Sequence, residues 1–288
     1  MKVSMDPYTY VARFQSGEWT IWDYLSHCDA MDLDGAHIPD CDYLYPHERY
    51  TTRKPREEWK FKPYPVEEVQ KIKDYCERRS WEKILSGWGG PYATKRTEDC
   101  LYLTRTDLEI ANTLGARVLR IVPDGLQDDP RRYKIEWAVR NLKRAAELAE
   151  SYGIVLGLET HPVIPYGSDI IEIIDRVDSE CLKATIDTGN IYSNVDPHMS
   201  PTRVVELLAP RTVATHIRDL DYYPGEDRPY FCVPCGEGFV DLPTIAQTLK
   251  DAHYGGTMAL EFLDLVGRPQ GAVRDEAIEK CIVYLRKL

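Results

Sequence analysis

At 288 residues, 43% hydrophobic and 29% charged, the chain has the composition of an ordinary globular protein. Its formal net charge of −11 works against a surface that must track phosphate backbones, because nucleic-acid binders draw most of their affinity from clustered Lys and Arg. No apolar run is long enough to cross a bilayer, the opening Met1-Lys-Val-Ser-Met-Asp6 lacks the apolar core of a secretory signal, and eight cysteines are too few for a disulfide scaffold. The expectation is free thiols in the cytoplasm, with neither a membrane nor nucleic acid as partner.

In chain order, residues 2–5 read as a short first strand, followed by the turn Asp6-Pro7 and an irregular segment containing Gly17. Thr20 is placed to cap a helix over residues 21–26, and residues 30–33 read as a second strand ending in Asp34, Gly35 and His37. Residues 39–65 are rich in Pro, Tyr, Arg, Lys and Glu with no clean period. A stretch that long inside a compact domain is a lid or binding loop, or else an oligomer contact. Apolar residues at 66, 69, 72 and 76 mark a helix, residues 81–85 a third strand, and Trp88-Gly-Gly-Pro91 a loop after it. A helix over 97–114 stops at Gly115 before a fourth strand at 116–122. The same device, a helix closed by a glycine suited to the left-handed region and then a strand, is expected at Tyr152-Gly153 and Tyr254-Gly255.

From residue 153 onward, four apolar runs each end in a residue able to bind a metal. They are Ile154-Val-Leu-Gly-Leu-Glu159, Lys183-Ala-Thr-Ile-Asp187, Thr212-Val-Ala-Thr-His216 and Thr257-Met-Ala-Leu-Glu261, the last belonging to a strand expected over 257–263. Helices over 134–151, 168–177, 201–208 and 242–253 lead into them, and 275–288 supplies a final helix. In an alternating strand-helix chain all carboxyl ends of parallel strands point to one face, so these four residues converge. The steps from 159 to 187 and from 187 to 216 are 28 and 29 residues, near the roughly 31 per unit of an eightfold barrel. The longer step to 261 places its extra residues at 221–237, in a loop over the same face. Counting from residue 2, there are eight strands: an α/β chain, a (β/α)₈ TIM barrel, with residues 1–288 as one domain.

Three carboxylates and one imidazole make an oxygen-rich donor set suited to one divalent ion, Mn²⁺ first and then Mg²⁺ or Co²⁺, in preference to a thiolate-bound zinc. Without a cation, each carboxylate pair at about 5 Å and an effective dielectric near 20 costs roughly 3 kcal/mol. The spacing Cys232-Val-Pro-Cys235 could suggest a redox or zinc pair, but no second pair accompanies it, and two loop thiols are expected.

The phrases Gly157-Leu-Glu-Thr-His161, Ile186-Asp-Thr-Gly-Asn190, Thr215-His-Ile-Arg-Asp219, Gly236-Glu-Gly-Phe-Val-Asp241 and Tyr254-Gly-Gly-Thr-Met-Ala-Leu-Glu261 resemble the xylose isomerase-like superfamily of sugar phosphate isomerases and epimerases. That group includes D-tagatose 3-epimerase, hydroxypyruvate isomerase, inosose dehydratase and endonuclease IV. The resemblance is densest over 100–285. It implies a divalent ion held by Glu159, Asp187, His216 and Glu261, with Glu159 and Glu261 as a base/acid pair facing each other across a keto sugar, and a dimer or tetramer, without excluding a different partner subunit. His161 and Arg218 look like substrate-orienting groups or, alternatively, a salt bridge and a loop cap. His37 is a substrate contact or an ordinary loop histidine, and Trp88 stacks on the sugar or simply packs. Asn190 stands where several epimerases carry histidine; an amide orients a hydroxyl but shuttles no proton at neutral pH. The expected activity is a metal-dependent isomerase or epimerase of a keto sugar. The alternatives are a lyase on the same scaffold, of the inosose dehydratase or 3-keto-glycoside and C-glycoside eliminase type, a non-catalytic sugar-binding barrel, and a nuclease of the endonuclease IV type.

Overall fold

The computed structural model describes residues 1–41, 63–87, 89–125, 129–222, 230–263 and 272–288, with backbone alone for 272–274. Its order is β1 (Val3–Met5), α1 (Val11–Gln15), α2 (Ile21–Ala30), β2 (Gly35–Pro39), α3 (Val66–Arg78), β3 (Glu82–Ser86), α4 (Thr97–Leu114), β4 (Val118–Ile121), α5 (Arg131–Tyr152) and β5 (Val155–Glu159). Then come α6 (Gly167–Val177), β6 (Leu182–Asp187), α7 (Thr188–Ser193), α8 (Pro201–Leu208), β7 (Thr212–His216), β8 (Asp219–Tyr222), β9 (Tyr230–Val233), α9 (Leu242–Asp251), β10 (Met258–Leu260) and α10 (Ala272–Lys287).

Eight of these strands form one parallel sheet in the order β10-β1-β2-β3-β4-β5-β6-β7. A bridge between Ile217 and Leu260 joins its two edges: Ile217 N–H donates to Ala259 (2.7 Å) and Glu261 N–H to Ile217 (3.1 Å). The result is the expected (β/α)₈ barrel. Strand residues such as Met5, Leu85, Leu119, Leu156, Leu158 and Ile186 are fully buried, as strands covered by helices on one side and by the barrel interior on the other must be. Among the described residues, no helix is long and apolar enough to cross a membrane.

Several boundaries differ from expectation. The second strand is Gly35–Pro39, not residues 30–33, because α2, capped at Thr20 as expected, runs past residue 26 to Ala30 and takes up the start of that stretch. The chain then turns at Asp32, which takes φ +54°, and Gly35 through Pro39 pair with Glu82 through Ser86. His37 is therefore a strand residue and not a loop residue. The glycine device holds at Gly115 and Gly153, both left-handed, but at the third site His253 takes the positive φ (+59°) and Gly255 does not. The last barrel strand stops at Leu260, so Glu261 is the first residue beyond it. The extra residues after β7 are in part an antiparallel hairpin, β8 with β9. Trp88, residues 42–62 of the expected lid and residues 223–229 of the expected loop lie outside the described residues.

Candidate metal and catalytic site

Glu159, Asp187 and His216 close β5, β6 and β7, and Glu261 follows β10. Parallel pairing places Asp187 directly beside His216 in the ladder, and Glu159 beside Thr185 two residues earlier. Ligand atoms of Glu159, Asp187 and His216 all lie within 4.8 Å of one another. His216 Nδ1 is 3.2 Å from Glu159 Oε2 and 3.7 Å from Glu261 Oε2, so the structure brings all four expected ligands together. At this meeting point His216 Nδ1 and Glu261 Oε2 are buried and make no well-aligned hydrogen bond; what they meet are opposite charges, Glu159 Oε2 at 3.2 Å from Nδ1 and Arg218 Nε at 3.3 Å from Oε2. Once His216 Nδ1 gives up its proton, that nitrogen and the carboxylate oxygens around it are donors of the kind a divalent cation takes. The donor set fits such an ion.

The other contacts show how this much buried charge is held. Arg120, in β4, donates through Nε to Glu159 Oε2. Asn190 Nδ2 lies 3.1 Å from Glu159 Oε1, 2.8 Å from Asp187 Oδ2 and 2.8 Å from the Thr160 carbonyl, tying two ligand carboxylates together. Asp187 also caps α7, its Oδ1 accepting the Asn190 backbone N–H at 2.9 Å. Arg218 forks onto Asp187, with Nε 3.2 Å from Oδ1 and a second nitrogen on Oδ2, and Nε is 3.3 Å from Glu261 Oε2. Behind His216, Asp6 Oδ2 lies 3.1 Å from His216 Nε2 and accepts from Ser86 Oγ at 2.9 Å. A carboxylate on Nε2 leaves Nδ1 as the nitrogen that faces the other three ligands.

The electrostatics follow from these pairings. Burial opposes the charge on Glu159, but Arg120 and His216 outweigh it and hold its carboxyl well below the usual range. Burial, reinforced by Glu159 and Glu261, raises Asp187 well above its ordinary value despite Arg218. Burial disfavours the His216 cation, yet Asp6 and Glu159 raise its pKa well above the usual histidine value. Burial also lowers His37, and brings His161 down to about 4, so both imidazoles are neutral at pH 7.

A cavity of about 180 Å³ opens beside the four ligands, lined by Tyr8, Arg120, Glu159, His161, Asn190, Arg218 and Glu261 among others. His161, Asn190 and Arg218 thus stand where substrate-orienting groups were expected. His37 does not line it: its Nδ1 is 3.2 Å from His216 Nε2 and 3.5 Å from Asp6 Oδ2, which puts it behind the ligand histidine and makes it a support rather than a contact. Asp219 is a structural anchor, its carboxylate accepting backbone N–H groups of Leu220, Gly236, Gly238 and Val240 at 2.8–3.1 Å. Cys232, on the hairpin, has its thiol pushed up to about 12 by burial, and Cys235 instead meets Cys281, its N–H 3.1 Å from that sulfur; both are free. Sequence reasoning missed Asp6, Ser86 and Arg120. Asp6 follows the short buried strand Val-Ser-Met of β1 just as Glu159 closes its own run, and Arg120 interrupts an otherwise apolar strand, so both carried a signal.

A closed parallel barrel with acidic and imidazole side chains gathered at its carboxyl mouth defines the class. Residues 48–287 match the sequence model of the xylose isomerase-like TIM barrel, and the chain belongs to that family. It is 29% identical over 153 residues to the 3-oxo-isoapionate decarboxylase of Pectobacterium atrosepticum, a match covering 52% of each chain, so it spans about half the length of that curated relative. Among solved structures it is similar to the IolI protein with a bound zinc atom (TM-score 0.71, 17% identity, 98% of this chain and 95% of that one). It is similar also to a D-psicose 3-epimerase in the presence of D-fructose (TM-score 0.73, 14% identity, 100% and 99%). At these identities the likeness to solved structures concerns the fold.

Proposed function

We propose that the chain is a divalent-metal-dependent enzyme that moves a proton next to the carbonyl of a keto sugar or keto-sugar derivative, and so an isomerase or epimerase. Glu159, Asp187, His216 and Glu261 would hold the ion, Mn²⁺ first and Mg²⁺ or Co²⁺ as substitutes. When bound there, it supplies Lewis-acid polarisation of the substrate carbonyl. The observation that carries this reading is the buried cluster at the strand ends, in which His216 Nδ1 lies 3.2 Å from Glu159 Oε2 and 3.7 Å from Glu261 Oε2 and Asp187 stands in the same group. The zinc in the IolI structure and the substrate class of the epimerase support it by family likeness.

The two glutamates are not equivalent in this chain. Both oxygens of Glu159 are engaged, Oε1 by Asn190 and Oε2 by Arg120 and His216. Glu261 meets Arg218 and His216 only at 3.3 and 3.7 Å. Glu261 is therefore assigned the proton-transfer role, while Glu159 is held as a ligand. His161, neutral and on the cavity wall, donates or accepts one hydrogen bond to a substrate hydroxyl, and Asn190 fixes the carboxylates in register. A single carboxylate assigned to proton transfer also suits a second reading, a lyase: elimination or decarboxylation next to a ketone needs one acid/base group where epimerisation by opposed faces needs two. The decarboxylase relative points the same way.

Incubation of the Mn²⁺-loaded protein with a panel of keto sugars and keto acids in D₂O tests this directly. Deuterium at the carbon next to the carbonyl without fragmentation supports isomerisation, and loss of water, aglycone or CO₂ supports the lyase. No exchange with any substrate, or no metal retained after dialysis, sinks the proposal. A homo-oligomer, dimer or tetramer, in the cytoplasm completes it, with light scattering as the check on the assembly.

A further inference from the structure

Arg218 lies between two of the proposed ligands, and its surroundings leave it little room to go elsewhere. Its backbone is clasped by Thr188, whose Oγ1 accepts the Arg218 N–H at 2.8 Å and donates to the Arg218 carbonyl at 2.7 Å. Its guanidinium rests on the bare Cα of Gly189: a Cβ there would come within 2.2 Å of Arg218 Nε and 2.6 Å of Cζ. The side chain is 10% exposed. The motif Asp187-Thr-Gly-Asn190 is thus a seat for this arginine as well as a source of ligands.

A divalent ion and Arg218 compete for the same oxygens. A carboxylate that turns to an ion gives up hydrogen bonds to the guanidinium, which cannot respond by losing its proton. A buried cation parted from its carboxylates needs another anion, and the cavity it lines is where one can arrive. The charges facing that cavity lead to the same place. Among the described residues that line it, Arg120 and Arg218 are positive and Glu159 and Glu261 negative, so a divalent ion there leaves the lining with an excess of positive charge. Resting on the metal-site reading above, we propose that the substrate carries a carboxylate that pairs with the Arg218 fork, making it a sugar-derived keto acid and not a neutral ketose. Two parallel N–H donors match the two oxygens of a planar carboxylate.

Isothermal titration of the Mn²⁺-loaded protein with three probes that share a six-carbon polyol frame, D-gluconate, D-glucitol and D-glucitol 6-phosphate, decides the matter. Gluconate is expected to bind at least about tenfold more tightly than glucitol, and that preference is expected to vanish in Arg218→Gln. In the same variant Mn²⁺ binds more tightly, because a competing cation is gone. Gly189→Ala, which keeps the charge but unseats the guanidinium, is expected to weaken gluconate binding severalfold and covers the case in which Arg218→Gln fails to fold. Equal binding of gluconate and glucitol overturns the inference. So does a preference that survives Arg218→Gln, which would place the carboxylate on the ion, or an Arg218-dependent preference for the phosphate. If Mn²⁺ binds but no carboxylate preference appears, this inference alone fails; if Mn²⁺ does not bind, the metal-site reading fails with it.

Discussion

Where the barrel strands begin, Asp29 pairs with Arg79 through two 2.6 Å contacts and Asp32 lies 3.6 Å from Arg286, beside Lys2, Asp34 and Trp81. Where they end, Glu159 pairs with Arg120 and Asp187 with Arg218. The chemical groups are the same and the solvent is not. The first set is 26–97% exposed, the second at most 10%. Water screens the first, so its pairs are adjustable and worth little. The second is shielded from water, so each charge depends on a named partner.

The largest effect should come from Glu261→Gln, which keeps the shape of the mouth and removes the carboxylate assigned to proton transfer. Turnover, followed by deuterium exchange, is expected to fall about 10²- to 10⁴-fold with Mn²⁺ still bound; unchanged turnover would return the proton transfer to Glu159. Next, Arg120→Met takes the guanidinium from buried Glu159 and leaves its charge to His216 and Asn190 alone. We expect a loss of about 3–5 kcal/mol in denaturant melts of the metal-free protein, partly restored by Mn²⁺, and a loss under 1 kcal/mol would mean that the mouth is as wet as the opposite end.

Mn²⁺ affinity should also climb with pH. His216, whose pKa Asp6 and Glu159 raise above the ordinary histidine value, must shed its Nδ1 proton to become a ligand, and the raised pKa of Asp187 acts in the same direction. Affinity therefore rises as pH increases through and beyond the ordinary histidine value of about 6.5, by up to about tenfold per pH unit for each proton released. Titrations at a series of pH values check this, and a flat profile would contradict the raised pKa of His216. The smallest effect is reserved for Arg79→Ala at the far end, expected to shift stability by at most about 1 kcal/mol in the same melts and to leave turnover unchanged.

The contrast between the two ends was partly legible in the sequence. Four apolar runs ending in Glu159, Asp187, His216 and Glu261 are enough to place those residues on one face, because parallel strands share a direction and the last residue of each must emerge at the same mouth. The second strand was not legible: α2 runs on to Ala30, past the expected end at residue 26, and pairing with Glu82–Ser86 sets the strand at Gly35–Pro39. His37 moved with that strand, from a loop to a position behind His216.

By itself, then, the order of residues determined the parallel barrel, the face on which the site lies and the four side chains offered to an ion. Tertiary structure alone decided that Arg120 occupies Glu159, that Asp6 orients His216 and that Arg218 sits on Gly189 between Asp187 and Glu261. The reason is that strand direction is a local property of the chain, whereas contacts across a closed ring join residues such as Asp6 and His216 that no spacing relates.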